Sequence, residues 1–388
     1  MVNKACPVGY HSMPVMVTAT VLLLWGAASP AQAIPYFARK YGVRCPTCHI
    51  LPPMLNETGL RFVTNGYKLS ELERAGTTVP IAVWVTQRVE ADHEREWAKG
   101  FPNRLEVISS DAITPWLSYF VEWRAVSYQS TSSGRLLNRS GRFEDLFLQF
   151  RLPHGFAVTA GQFRMLDQWD VSRRLTLSEP LAFSASVPGE SSRNRRLQSL
   201  RSFSLAGRAP AVRATWHTLG RGHESGGWFH EVTVPFTGEF SAPLGKDPRR
   251  EASFELEARP KGVVYETYYR KGLTSIGGSV FGAGDRWLTN LTGTLSLHQH
   301  HLMASVGAAR FRTGPNDFRL SVSETWVPRP WIGAGVRVDH QSARRARPAV
   351  APHLNFSFPG SQFTFLLTVE QRIQRRNMAT ALEISAVF

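Results

Sequence analysis

Cys45, Cys48 and His49 form the run CPTCH, a spacing that attaches c-type haem. Two thiols three positions apart on one turn reach the two vinyl groups of a single porphyrin. The histidine that follows falls beneath the iron as proximal ligand. Two other chemistries share parts of the pattern. A thioredoxin-like redox pair lies beside a βαβ unit, and none is visible. A zinc site needs about four ligands, and no second cysteine pair exists. The expectation is one haem c, bound covalently by Cys45 and Cys48 and ligated by His49.

The other side of the iron is open to several residues. Met54 follows His49 too closely to wrap around to the opposite face and reads as packing. Met165, Met303, Met378, His93 and the cluster His298, His300 and His301 are the distant candidates. An open sixth position is the remaining option. The choice sets the chemistry, because Met/His ligation raises the potential and an open position admits ligands.

Haem attachment of this kind takes place outside the cytoplasm, and the N-terminus agrees with export. Lys4 is the lone charge before Arg39. VMVTATVLLLWGAA (15–28) is apolar, and Ala31–Ala33 give a small-x-small cleavage site, so residues 1–33 read as a signal peptide. The apolar run is shorter than the ~20 residues of a spanning helix. Removing 33 of the 388 residues leaves 355, and the net charge falls from +15 to +14 with Lys4. Cys6 leaves too, so the mature chain holds two cysteines. That excludes a disulfide-stapled secreted domain.

No later apolar run is long enough for a membrane helix, so a membrane-embedded form has to be a closed barrel. The pattern fits one. In FTFLLTVEQR (363–372), Phe363, Phe365, Leu367 and Val369 oppose Thr364, Thr368, Glu370 and Arg372. PHLNFSF (352–358), IGAGVRVDH (332–340), EASFELEAR (251–259) and, more weakly, WLTNLTGTLSLH (287–298) alternate in the same way. Turn-rich stretches at 130–142, 219–227, 241–250 and 312–317 separate them, and 190–202 reads as at most a short helix. The chain ends on Phe388, as bacterial outer-membrane barrels end on an aromatic residue. At roughly 19 residues per strand and loop, residues 81–388 make about 16 strands. The fold expected is all-β: an outer-membrane barrel (81–388) with a small haem segment (34–80) as its plug or cap, the plug being preferred because no long linker carries the segment away.

Residues around the motif carry a resemblance. Pro35, Phe37, Ala38, Arg39 and Gly42 before it, and Pro53, Leu55, Gly59, Phe62, Gly66 and Tyr67 after it, resemble the N-terminal segment of outer-membrane monohaem cytochrome–porin fusions, best known from iron-oxidising bacteria. The match covers about residues 34–67; the remainder agrees in architecture alone. The resemblance implies electron transfer from an extracellular donor such as Fe(II) to a periplasmic acceptor such as a soluble cytochrome.

The basic excess is dispersed, with arginine pairs at 173–174, 193–196, 249–250, 344–345 and 375–376. Nucleic acid is not the expected partner of an exported chain. Arginines lining a solvated lumen, or loop arginines meeting anionic lipid phosphates, are the expectation, with the eleven tryptophans as interfacial girdles. A basic lumen repels Fe²⁺, which places its reaction at an outer loop; Asp111, Asp145 and Asp285 are loose candidates there. Two further functions stay open: an anion-permeable porin whose haem plug is structural, and a peroxidase-like haem enzyme using an open sixth position. No catalytic residue is named by the sequence.

Overall fold

A computed structural model of the chain describes residues 35–388, apart from 70–79, 132–133, 167–174, 179, 187–201, 205–206, 220–225, 242–252, 261, 284–285, 312–315, 343–347, 360–363 and 375–376. The expected signal peptide, residues 190–201 of the 190–202 segment, Asp285 and the arginine pairs lie outside the described residues.

Sixteen antiparallel strands close into a barrel. They are β1 (Ile81–Asp92), β2 (Trp97–Thr114), β3 (Leu117–Ser130), β4 (Arg142–Leu152), β5 (Phe156–Arg164), β6 (Arg208–His217) and β7 (Gly227–Ser241), then β8, in two pieces (Ser253–Pro260 and Val263–Lys271) that pair end to end with β7. After them come β9 (Thr274–Ala283), β10 (Arg286–Leu297), β11 (His300–Phe311), β12 (Asp317–Arg329), β13 (Ile332–Gln341), β14 (Ala349–Pro359), β15 (Thr364–Gln374) and β16 (Asn377–Val387). β16 pairs with β1 from Ala379↔Asp92 to Val387↔Trp84 and closes the ring. Phe388 extends the seam by exchanging backbone hydrogen bonds with Val83 at 2.8 and 3.1 Å.

Alternation decides which side chains meet lipid. On β10, Trp287, Leu291, Leu295 and Leu297 stand outside, while Asn290, Thr292 and Thr294 are buried inward. On β14, Leu354 is 45% exposed and its neighbours His353 and Asn355 are 4% and 3%. This is a soluble protein turned inside out: apolar surface faces outward, and the polar groups satisfy one another within. The eleven residues from Trp287 to Leu297 climb roughly 33 Å along the strand, or about 25 Å at a barrel tilt of ~40°, the height of an outer-membrane apolar band. Trp116, Trp216, Trp228, Trp326 and Trp331 ring one edge of the band, and Trp287 and Phe318 mark the other. The molecule is a porin-like outer-membrane barrel.

Its two ends differ. Both ends of the barrel sequence, Ile81 and Phe388, lie at one end together with the short β2–β3, β4–β5, β8–β9, β10–β11 and β12–β13 turns. The longer connections, 131–141, 165–207 and 242–252, are at the other. Short turns face the periplasm and long loops the outside.

The arginine pairs behind the expectation of a basic pore lie outside the described residues, but several arginines of the described lumen wall are paired. Arg88 pairs with Glu383, and Arg104 reaches Glu106 and Glu383, both at 3.3 Å. Arg124 reaches Glu106 and Glu144, and Arg208 reaches Glu144 at 2.6 Å and Asp145 at 3.2 Å. A belt of matched charges thus crosses β16, β1–β4 and β6. A guanidinium in a narrow, partly dry lumen requires a carboxylate partner, so these arginines leave little net field.

Candidate functional site

Residues 35–69 fold inside the short-turn mouth. Helix α1 (Pro35–Tyr41) leads to a 3₁₀ turn (Cys45–Thr47), a small hairpin (His49–Leu51 with Met54–Leu55) and helix α2 (Glu57–Thr64). Gly42 ends α1 at φ 62°, a left-handed conformation that glycine adopts without a Cβ clash. The chain then turns back to place Val43 N on Ala38 O at 3.1 Å.

The segment touches the rim on several sides. Tyr36 donates to Asp111 Oδ2 at 2.8 Å, and Lys40 pairs with Asp111 Oδ1. Lys68 Nζ donates to the carbonyls of Thr114 and Pro115 at 3.2 and 3.0 Å. Arg151 at the end of β4 donates to Asn65, Leu51 and Met54 pack on Val327 of β12, and Cys45 Sγ lies 3.7 Å from Thr364 Oγ1 of β15. Phe37, Phe62 and Tyr67 pack in a chain of rings that continues into Phe120 and Phe147 of the wall. Asp111 is thereby an anchor of this segment, and Asp145 is a partner of Arg208; neither stands at an outer loop as a candidate iron carboxylate.

One side chain organises the motif. Asn56 caps α2 by accepting from Gly59 N at 3.1 Å, and its amide donates to the carbonyls of Pro46 and Thr47 at 2.9 and 3.1 Å. Its backbone N–H donates to Cys48 O at 2.9 Å. The helix start and the cysteine turn are therefore one hydrogen-bonded unit. They approach so closely that a Cβ on Gly59 would lie 2.2 Å from Cys48 O.

The three motif residues come together as their spacing requires. Cys48 N bonds Cys45 O at 3.1 Å, which closes the turn, and the thiols are not bridged to each other. Burial pushes the Cys45 thiol up, with the Thr364 hydroxyl opposing, and burial with the neighbouring Cys45 pushes Cys48 up. Neither is then a ready thiolate at neutral pH, which argues against a thioredoxin-like pair. Burial drives His49 down to about 4, so its imidazole is neutral and fit to ligate iron. His49 Nδ1 is buried with no hydrogen-bond partner. Among the described residues the same ring nitrogen of His340 and His353 is left in the same state, so this does not set His49 apart. The donor set is what fits haem c: two unbridged thiols and a neutral imidazole on one turn. Beside that turn an open cleft of about 500 Å³ lies between Asn56–Thr58 and the barrel residues Leu273, Ser296 and His298, a volume in the range of small-molecule and cofactor sites.

The connection between β5 and β6 enters the lumen, which the sequence did not disclose. Met165, Leu166 and Phe183 pack on an apolar patch of the inner wall formed by Phe229, Tyr268, Phe281 and Leu288. The stretch 175–183 is pinned across the barrel. Arg337 donates to Ser178 O at 2.8 Å, Leu181 N to Asp339 Oδ1 at 3.3 Å and Ala182 N to Ser321 Oγ at 3.1 Å. Leu175 meets Leu51 and Met54 of the mouth segment. An inner-facing patch of Phe, Tyr and Leu on scattered strands is the signal that could have found it.

No family model matches the chain, and no curated protein matches it in sequence. Solved structures do resemble it. OmpF of Salmonella typhi, in complex with daunomycin, has a TM-score of 0.51 at 9% identity, over 79% of this chain and 97% of that one. An anion-selective porin from Comamonas acidovorans has a TM-score of 0.49 at 11% identity, over 80% and 99%. At 9% identity the likeness to OmpF is one of fold.

Proposed function

We propose that this protein transfers electrons at the outer membrane through one haem c, bound by Cys45 and Cys48 with His49 as proximal ligand. The observation that carries this is the CPTCH turn seated in the barrel mouth, with its two thiols unbridged and Cys45 buried. Bound there, haem supplies one-electron redox chemistry. The chain's own residues position it. Asn56 straps the turn, Gly59 admits α2 against it, and Asp111, Lys40 and Tyr36 fix the segment to the wall. The resemblance to cytochrome–porin fusions of iron-oxidising bacteria adds the direction: an extracellular donor such as Fe(II), and a periplasmic acceptor such as a soluble cytochrome. With the motif at the short-turn mouth, a periplasmic acceptor meets it directly, and the electron of an extracellular donor arrives from the long-loop side. Pairing of the described lumen arginines removes part of the repulsion that a basic pore would exert on Fe²⁺.

Purified protein tests this. Covalent haem that survives denaturation, at one per chain, and stopped-flow reduction of the oxidised form by Fe(II) are the expected results. A colourless denatured protein sinks the haem. No reduction by Fe(II) at any pH removes iron as donor.

A second reading, a solute-conducting porin, draws on the barrel fold. Its signature is steady conductance in planar bilayers from the intact protein without redox exchange.

A further inference from the structure

We propose that the short-turn mouth is a docking surface for a soluble protein that presents an acidic face. One part of this rests on the electron-transfer reading, namely that the partner is the acceptor; the surface itself follows from charge and exposure. Four cations stand on it. Arg39 on α1 and Arg44, the residue before the cysteine turn, are exposed. So are Lys271, the last residue of β8, and Arg329, the last residue of β12. None of the four is in an ion pair among the described residues. The described carboxylates near this end are engaged or covered. Asp111 holds Lys40 and Tyr36. Glu324 points outward with Val322 and Trp326 and meets His300 at 2.8 Å. Glu57 is half-buried beside the β8–β9 turn. The long-loop end is mixed instead: Glu94 and Glu96 are exposed beside Arg95 and Lys99.

Other faces of the mouth segment are already covered from within the barrel. Val63, Thr64 and Tyr67 close a small cavity against Gln149, Thr159 and Arg213 of the lumen wall. Leu51 and Met54 meet Leu175 of the lumen loop. Arg39 and Arg44 belong to the remaining side, at the edge of the barrel. Arg39 Nη2 donates to the carbonyl of Ile81, the first residue of β1, at 3.2 Å. Cys45, next to Arg44, lies beside Thr364, the first residue of β15. Pro46 and Thr47, the tip of the cysteine turn, are exposed there too, so a partner held by Arg39 and Arg44 sits over the motif. Lys271 and Arg329 carry the same charge around the rim to β8 and β12. Lipid phosphates lie outside the ring of strands, whereas Arg39 and Arg44 are on the segment inside it. Exposed charges of one sign speed the encounter with an oppositely charged protein more than they tighten the complex. That suits a redox partner, which has to arrive and leave quickly.

The test uses the full chain in nanodiscs of phosphatidylcholine and two probes of one shape. One is soluble cytochrome c with its lysines intact, which is basic; the other is the same cytochrome c succinylated, which is acidic. Binding is read by biolayer interferometry. At about 0.01 M ionic strength, where the screening length is about 30 Å, the acidic probe is expected to bind about tenfold more tightly than the basic one. At about 0.15 M, where that length is about 8 Å, most of the advantage is lost. Arg39→Gln with Arg44→Gln weakens binding several-fold, Arg44→Glu weakens it further, and Lys99→Gln at the long-loop end leaves it unchanged. Unheated gel migration shows that each barrel is folded. No preference for the acidic probe, or an equal loss in Lys99→Gln, overturns the proposal. So does an Arg39→Gln, Arg44→Gln protein that binds the probe as wild type does but retains less phosphatidylglycerol on purification, which assigns the cations to lipid phosphates. With haem-loaded, reduced protein, the rate of electron transfer to the oxidised acidic probe is expected to follow the same variants and the same salt series. Intact binding by a protein without covalent haem removes the acceptor role and keeps the surface, so the two failures are separable.

Discussion

At the scale of single residues, the site depends on a contact that leaves no room. Gly59 meets Cys48 O where a Cβ would lie 2.2 Å away, and the obstacle is backbone, which cannot swing aside. Gly59→Ala therefore separates α2 from the cysteine turn, an overpacking cost of about 1–3 kcal/mol. Covalent haem per chain, read from a pyridine haemochrome spectrum, falls several-fold, while the barrel keeps its folded gel migration. Asn56→Ala removes the helix cap and both bonds to the turn. Loss of the cap alone costs about 1 kcal/mol, so haem yield drops and protease cuts faster near residue 46. The contrast shows which facts are local. CPTCH is legible because its chemistry is set by spacing along the chain. The need for Gly59 is not, because it arises when a helix and a turn from different parts of the segment meet.

Elements obey the same division. The period-two alternation of 287–298, 332–340 and 352–358 places lipid-facing and lumen-facing side chains correctly, since pleating is a property of the backbone itself. The strand number follows from length. The inward packing of Met165, Leu166 and Phe183 was not legible, because the wall patch that holds them is assembled from β7 to β11. Two anchors can be tested. Asp111 receives both Lys40 and Tyr36, and its ion pair is nearly closed to solvent, with side chains 6% and 7% exposed. Asp111→Ala removes the carboxylate that holds both Lys40 and Tyr36, a loss of about 3 kcal/mol for a buried pair. Limited proteolysis is expected to release the mouth segment from this variant while the barrel survives. Arg337→Met removes the donors to Ser178 and loosens the lumen loop. Cleavage within 165–186 by an externally added protease measures this, and resistance equal to wild type counts against the pin.

Across the whole molecule, the lumen is obstructed twice. The mouth segment spans from β2 and β4 on one side to β12 and β15 on the other. The β5–β6 connection crosses the interior and touches it at Leu175. A barrel of this strand number without such obstructions holds an aqueous channel. Two consequences follow. The intact protein conducts small ions poorly. A chain lacking residues 35–69 but keeping 1–34 forms a barrel with discrete conductance steps, reduced by the loop that stays in place. Planar-bilayer recordings compare the two forms. The deletion also removes Cys45, Cys48 and His49, so it has to abolish haem and open the pore together. Cys45→Ala with Cys48→Ala separates these effects: the haem is gone while the segment and its anchors on Asp111, Thr114 and Arg151 remain. That double variant is expected to be colourless and closed. If it conducts as the deletion does, the attached group and not the polypeptide holds the segment in the mouth, and the anchoring argued for Asp111 fails.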